Sequence, residues 1–473
     1  MRYTFLWAMC LATYAGTAQN WQQVGDFNRF VSGPLYNDTT TGLLFISGAN
    51  RFNGTDTLDG FFTWDGTEFV SLGKGRSDCG NVGCGPALFL VRYNDDIYFS
   101  GPGLEKIDTV TLRGIGRWDG LQWSAGLLGL NEAVSATPFL DGYYLHEGNL
   151  YASGAFRTAN GDTCNSVAYW DGTKWTGLDF PGDGFSQSVP RVHNILFYKG
   201  ELYVAGNFYV FLDGEWIADI ARYDGSQWHA VGGSIKGGLA DIWDAIVYKD
   251  ELYVCGYFRK ADGNVGNKIM RWDGEQWKEV GEGVCSPSAS ARNMLIYNDK
   301  LLLGGIFDCV DNGLPVSNIA AWDGERWCSF GNSVFDNSIS AMAKYQGTLY
   351  IGGGFTEIDG QPVKYFAKWV GDHSTDTCSA LVVAAPEPEQ AARYALNISP
   401  NPAHSIVTLA LEGEIWGGKS VRLSIFNALG QEVWSAMSVS GREKVSLVGW
   451  PTGVYVARVE LERGVRTEVF VKE

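Results

Sequence analysis

Residues able to do chemistry are scattered in this chain. The five histidines, His146, His193, His229, His373 and His404, include no i,i+4 pair and no nearby cysteine partner, so zinc ligation is not indicated. No Gly-x-Ser-x-Gly elbow presents a serine nucleophile, and Asp/Glu pairs are too plentiful to single out a glycosidase dyad. What stands out is a mixture of rings and carboxylates between residues 179 and 244. Phe185, Phe208, Tyr209, Phe211, Trp216 and Trp243 are interleaved there with Asp183, Asp213, Glu215, Asp241 and Asp244. Rings offer flat apolar area and carboxylates accept hydroxyl hydrogens, a combination that suits sugar stacking or protein docking. The candidate ligand-binding residues are therefore Phe185, Trp216, Trp243, Asp183, Asp213, Asp241, Asp244 and His193, the one histidine expected in an innermost strand. For any one ring the simpler role is packing beneath its own loop.

These residues need a scaffold, and its period is explicit. Trp-Asp-Gly or a close variant occurs at Trp64, Trp118, Trp170, Tyr223, Trp272, Trp322 and, degraded, Trp369, at intervals of 47 to 54 residues. A period in that range signals a propeller or solenoid. Residues 291–330 show the unit: Arg292 to Tyr297 turns at Asn298-Asp299, Leu301 to Phe307 returns, Asn318 to Trp322 turns at Asp323-Gly324, and Arg326 to Phe330 closes. Seven units of four strands predict an all-β, seven-bladed propeller. The last unit lacks a fourth strand, whereas Trp21-Gln22-Gln23-Val24-Gly25 matches the fourth-strand sequence Trp277 to Gly281, so the N-terminal strand is expected to close the ring. The short turns fall on one face and the long loops on the other, which places binding on the long-loop face. Asp/Asn-Gly pairs at Asn160-Gly161, Asp262-Gly263 and Asp359-Gly360 read as type I′ turns, not calcium loops.

Composition bounds the partners. The chain has 473 residues and a net charge of −17, and residues 19–392 carry −19 of it. An acidic body repels phosphate backbones, so nucleic acid is excluded as a natural partner. Residues 1–18 carry Arg2, an apolar run from Phe5 to Ala12 and Gly16-Thr17-Ala18, the order of a secretory signal peptide cut before Gln19. No later apolar stretch approaches the roughly 20 residues of a transmembrane helix. Residues 19–371 are the propeller, 372–395 a linker, and 396–473 a small β-sandwich of the Ig-like kind. Eight cysteines follow the signal; Cys79 with Cys84 and Cys285 with Cys309 are disulfide candidates for an oxidising periplasm, and Cys255 is expected as a buried thiol.

Two resemblances add to this. Paired glycines after the second strand (Gly304-Gly305, Gly352-Gly353), followed by an aromatic and a Trp, resemble kelch-type propellers over roughly residues 21–371. The Gly-His pairs of WD-repeat blades are absent, and the Asp-to-Trp spacing is one residue short of the sialidase Asp-box, so no activity is carried over from either. Residues 396–473 resemble the type A C-terminal sorting domain of the type IX secretion system of Bacteroidota. The matching residues are Pro400, Asn401 and Pro402, then Leu423 to Asn427 with Gly430, then Gly453-Val454-Tyr455 and finally Val469 to Lys472. The resemblance implies export through the periplasm, engagement of the type IX machinery, and release or surface attachment after the domain is removed. The expected function is a secreted or cell-surface binding protein for a glycan or protein, non-catalytic and without cofactor or metal. A carbohydrate-active enzyme with carboxylates on the long-loop face, or a surface scaffold without a small ligand, are the alternatives.

Overall fold

The structure is a computed structural model. It describes residues 20–379 apart from 75–88, 132–138, 183–189 and shorter breaks, and residues 394–473 apart from 414–420, 428–430, 439–441 and 462–463. The signal segment, Cys79, Cys84, Asp183, Phe185 and Gly430 lie outside the described residues. The chain divides into two compact units, Met1–Ser379 and Ala380–Glu473. Both are all-β; the one helix among the described residues is a single 3-10 turn at Lys260–Asp262.

The first unit holds seven four-stranded antiparallel sheets. Their first strands are Leu35–Asp38, Phe89–Tyr93, Phe139–His146, Arg191–Tyr198, Ile242–Tyr248, Ser290–Tyr297 and Ile339–Tyr345. Six sheets take their four strands in chain order, three of them with a short strand pair inserted between the second and third strands, and the seventh takes its fourth strand, Trp21–Gln23, from the far end of the chain, with Trp21 opposite Trp369. Apolar cores lie between successive sheets: Tyr253 and Ile269 meet Leu303 and Ala320, and Leu302 and Ile319 meet Ile339 and Ile351. Another core joins the seventh sheet to the first through Ala343, Tyr345, Leu44 and Phe62.

The Trp-Asp-Gly repeat has a physical explanation that the sequence reading missed. It is not a two-residue hairpin turn. Trp64 pairs with Phe69 and Trp170 with Trp175, leaving four-residue loops. In six of them the Asp Oδ1 accepts the backbone N–H groups two and three residues on, at 2.7–2.9 Å. The following glycine sits at φ +95 to +108, where a side chain is strained, so both residues are needed. Of the mid-sheet pairs, Asn160-Gly161 and Asp359-Gly360 have positive φ at both residues, as type I′ requires; Asp262-Gly263 instead ends the 3-10 turn.

Polar side chains fasten neighbouring sheets at repeated positions. The fourth-strand indoles of Trp228, Trp277 and Trp327 donate to the carbonyls of Leu178, Val231 and Val280 at 2.7, 3.0 and 2.8 Å. Trp21 holds the same station in the seventh sheet and donates to Ser333 Oγ at 2.9 Å. The hydroxyls of Tyr198 and Tyr248 donate to Asp250 and Asp299 carbonyls in the next first-strand turns. Tyr345 of the seventh sheet continues the series to Gly42 of the first, at 2.7 Å.

Of the two disulfide candidates, Cys79 with Cys84 lies outside the described residues and Cys285 with Cys309 is not bonded. The disulfide among the described residues is Cys328–Cys378, which holds residues 376–379 against the sixth sheet, where Ser379 N–H also bonds the Trp327 carbonyl. That segment, read by composition as linker, belongs to the first unit. Cys285 and Cys309 are brought together, the Cys285 N–H donating to the Cys309 carbonyl at 3.2 Å, but remain thiols. Cys255 is a buried thiol.

The second unit faces a three-stranded sheet (Tyr394–Ser399, Ile406–Gly413, Arg442–Ser446) with a four-stranded one (Glu432–Ser438, Val421–Asn427, Gly453–Leu461, Gly464–Lys472) across one core that includes Leu396, Leu409, Leu423, Tyr455 and Phe470. Two of these strands, Tyr394–Ser399 and Glu432–Ser438, were not foreseen. The first alternates, with Leu396 buried and Asn397 exposed, but is six residues long and runs into prolines, and the second exposes Val433 and Met437, so its apolar residues fall on both faces.

Candidate functional site

Five consecutive sheets carry a β-bulge at the same place, near the start of the first strand. The unpaired residues are Asp141, His193, Trp243, Arg292 and Ser340. A bulge frees one residue from the ladder and re-aims its side chain, so five equivalent residues are freed to do something other than pair. The recurring glycine of the second strand makes this possible. A Cβ on Gly256 would lie 1.9 Å from the Asp241 carbonyl oxygen, and one on Gly305 or Gly353 2.0 Å from that of Ser290 or Ser338. The glycine motif of the repeat is thus the counterpart of the bulge.

The freed side chains meet across sheet boundaries. His193 Nδ1 is 3.5 Å from Asp141 Oδ2 and its Nε2 is 3.2 Å from Asp241 Oδ1, while Arg191 Nε donates to Asp141 Oδ2 at 2.9 Å. Burial alone would lower the His193 pKa; the bonds to Asp141 and Asp241 outweigh it and raise it to about 9, so the ring is an imidazolium at neutral pH and not a base. Asp244, next to the Trp243 bulge, accepts N–H groups from Ala245 at 2.8 Å and Met294 at 2.7 Å, yet burial pushes its carboxyl up to about 7. Asp219, 3% exposed, accepts from Phe208 N–H and is raised well above the carboxylate range, first by burial and then by Asp241. Trp243 is 46% exposed, and the Arg292 guanidinium stands 5.5 Å from its ring centre.

The sequence-derived candidates fall into two groups. His193, Asp241, Trp243 and Asp244 belong to the bulge rim. Trp216 does not: it sits on a long hairpin, Glu201–Leu212 with Glu215–Tyr223, where it stacks on Tyr209 at 5.1 Å and 4° and meets Phe211 edge-on. Asp213 at the hairpin tip is a fastener, accepting Ala230 N–H at 2.9 Å and lying 3.2 Å from His229 Nδ1, so its oxygens are directed to the sheet's own fourth strand. Asp141, Arg191 and Arg292 were missed. Aligning the first strands would have found Asp141 and Arg292, since Leu140-Asp141, Val192-His193, Ile242-Trp243, Ala291-Arg292 and Ile339-Ser340 place a variable residue after a constant small or apolar one; Arg191, which is paired in its ladder, leaves no such signal. Among the described residues no group of three or more His, Cys, Asp or Glu is arranged to hold a metal ion.

In the second unit the sorting-motif residues do structural work. Asn401 Nδ2 donates to the Val469 carbonyl and its Oδ1 accepts Val471 N–H, both at 3.0 Å, which locks the segment containing Pro400 and Pro402 to the last strand. Tyr455, following Gly453, donates its hydroxyl to the Pro451 carbonyl at 2.8 Å and stacks on Phe470. Lys472 pairs with Gly453 at the end of the last strand.

No curated protein matches the chain. Among solved structures it is similar to PorZ, a surface component of the type IX secretion system of Porphyromonas gingivalis, at 13% identity and TM-score 0.41 over 93% of this chain and 60% of that one. It is also similar to the extracellular domain of BT4673, a putative one-component system of B. thetaiotaomicron, at 11% identity and TM-score 0.44 over 96% of this chain and 59% of that one. The chain spans about three fifths of the length of each. No helix among the described residues is long and apolar enough to cross a membrane. Residues 397–473 match the family described as the secretion system C-terminal sorting domain, and that domain implies interaction with the type IX machinery and export to the cell surface or the medium.

Proposed function

We propose that the exported body, ending after Ser379, is a seven-bladed propeller whose bulge rim binds a glycan without turning it over. The ring reading is supported by the core between seventh and first sheets, the Tyr345–Gly42 bond and the pairing of Trp21 with Trp369. The observation that carries the binding reading is the alignment of five bulges, which sets an exposed indole, Trp243, among charged hydrogen-bonding groups. Exposed rings beside such groups stack on sugar faces while the polar groups meet hydroxyls. His193 as a fixed imidazolium between two carboxylates favours holding a ligand over proton transfer.

A glycan array probed with the tag-free propeller, followed by product analysis of each bound glycan, tests this. Binding that Trp243→Ala weakens, without released product, is expected. Cleaved product assigns the carbohydrate-active alternative, and an array without a hit refutes glycan binding.

A further inference from the structure

The rim's charges are not all matched. Asp141 is met by Arg191 and His193, Asp241 by His193, and Asp244 by two backbone N–H groups. Arg292 is the exception. Its Nε donates to Ser290 Oγ at 3.3 Å, its guanidinium faces Trp243, and among the described residues no carboxylate lies within ion-pair distance. The side chain is half-buried, and that burial lowers the pKa of the guanidinium. A partly desolvated guanidinium with most of its five donors unused is an uncommon thing to leave on a protein as acidic as this one. Its fork matches a carboxylate with two parallel hydrogen bonds, a geometry that an ammonium cannot reproduce.

We propose that Arg292 and Trp243 form a subsite for an acidic sugar, a hexuronate residue of a glycan, with the carboxylate on the guanidinium and the pyranose against the indole. This deepens the glycan reading and rests on it. With Trp243 46% exposed, indole surface remains for a sugar after Arg292 has taken its place beside the ring. A hexuronate carries its carboxylate directly on the ring, so one residue satisfies both contacts. An acidic peptide places its carboxylate on a flexible stem and supplies no flat partner for the indole.

The test is calorimetry on the full chain with trigalacturonate, a hyaluronan tetrasaccharide, the methyl ester of trigalacturonate and triglutamate. At least one of the two uronate glycans is expected to bind at least tenfold more tightly than the methyl ester and than triglutamate, as a charge-assisted bond would give. Arg292→Met should abolish that preference with an unchanged melting midpoint, Arg292→Lys should keep part of it, and Trp243→Ala should weaken acid and ester forms alike. Equal binding of acid and ester, a preference surviving in Arg292→Met, or triglutamate binding as tightly as the glycans overturns the proposal. So does failure of both uronate glycans to bind; array hits confined to neutral glycans then leave the glycan reading standing, while an array without hits removes both.

Discussion

Replacing Trp21 by alanine tests whether the N-terminal strand closes the first unit. The side chain is fully buried, its indole N–H donates to Ser333 Oγ at 2.9 Å, and its ring meets Trp369 and Phe335 edge-on at 5.0 and 5.6 Å. Truncating a buried tryptophan costs about 3–5 kcal/mol, and leaving the Ser333 hydroxyl without its donor adds about 1 kcal/mol. The expected loss is therefore roughly 4–6 kcal/mol in urea unfolding followed by circular dichroism. Trp327→Ala supplies the internal standard, because Trp327 is equally buried and holds the same station in the sixth sheet. Trp216→Ala, at a ring 43% exposed, should cost less than about 1 kcal/mol. If Trp21→Ala behaves like Trp216→Ala and not like Trp327→Ala, the closure argument is wrong.

Three further outcomes are expected. The folded His193 pKa of about 9 lies above its ordinary 6.5, so its stabilising contribution is complete below pH 6.5 and is lost as pH rises through 9. At 17% side-chain exposure this amounts to on the order of 2–3 kcal/mol, and His193→Gln should flatten the stability profile between those limits; an unchanged slope would assign it elsewhere. Gly256→Ala would place a Cβ 1.9 Å from the Asp241 carbonyl oxygen, a backbone atom that cannot swing away, so a loss of about 1–3 kcal/mol together with weakened glycan binding is expected, and neutral stability would show that the bulge is not held by that glycine. Deleting residues 397–473 should leave the protein in the periplasm on cell fractionation, and normal appearance at the surface would exclude the sorting role.

The repeat was legible because one physical solution recurs: an Asp carboxylate that accepts two N–H groups and a glycine at positive φ leave the same Asp-Gly pair in six of the seven units. The closing strand was legible for the same reason, since Trp21 does what Trp277 and Trp327 do. The site was legible only by residue type. Trp243, Asp244, Asp241 and His193 attracted notice as rings and charges, but Trp216 and Asp213 have the same letters and are engaged with their own hairpin and sheet. What separates the groups is the bulge, and a bulge is visible in a strand only when several are laid side by side. The Cys328–Cys378 bond was hidden because composition marks residues 372–395 as linker, while the contact that holds 376–379 is a backbone pairing with a strand about 50 residues earlier.

The position of the closing strand also sets a tolerance. The Trp21 indole reaches across 312 residues to Ser333, and joining ends so distant costs roughly 5 kcal/mol of loop entropy, against little for any hairpin within a sheet. The closing strand's pairing partner is Phe366–Trp369, so that strand cannot pair before the far end of the first unit has been made. Asn20 is already engaged, its carbonyl accepting N–H groups from Val370 and Gly371. If a signal is cut before Gln19, as the order of residues in 1–18 leads one to expect, one residue of slack precedes this seam. A cut displaced by three residues toward the C-terminus would strip away Asn20 and Trp21 together, so the choice of cleavage bond would also decide whether the seventh sheet keeps its fourth strand.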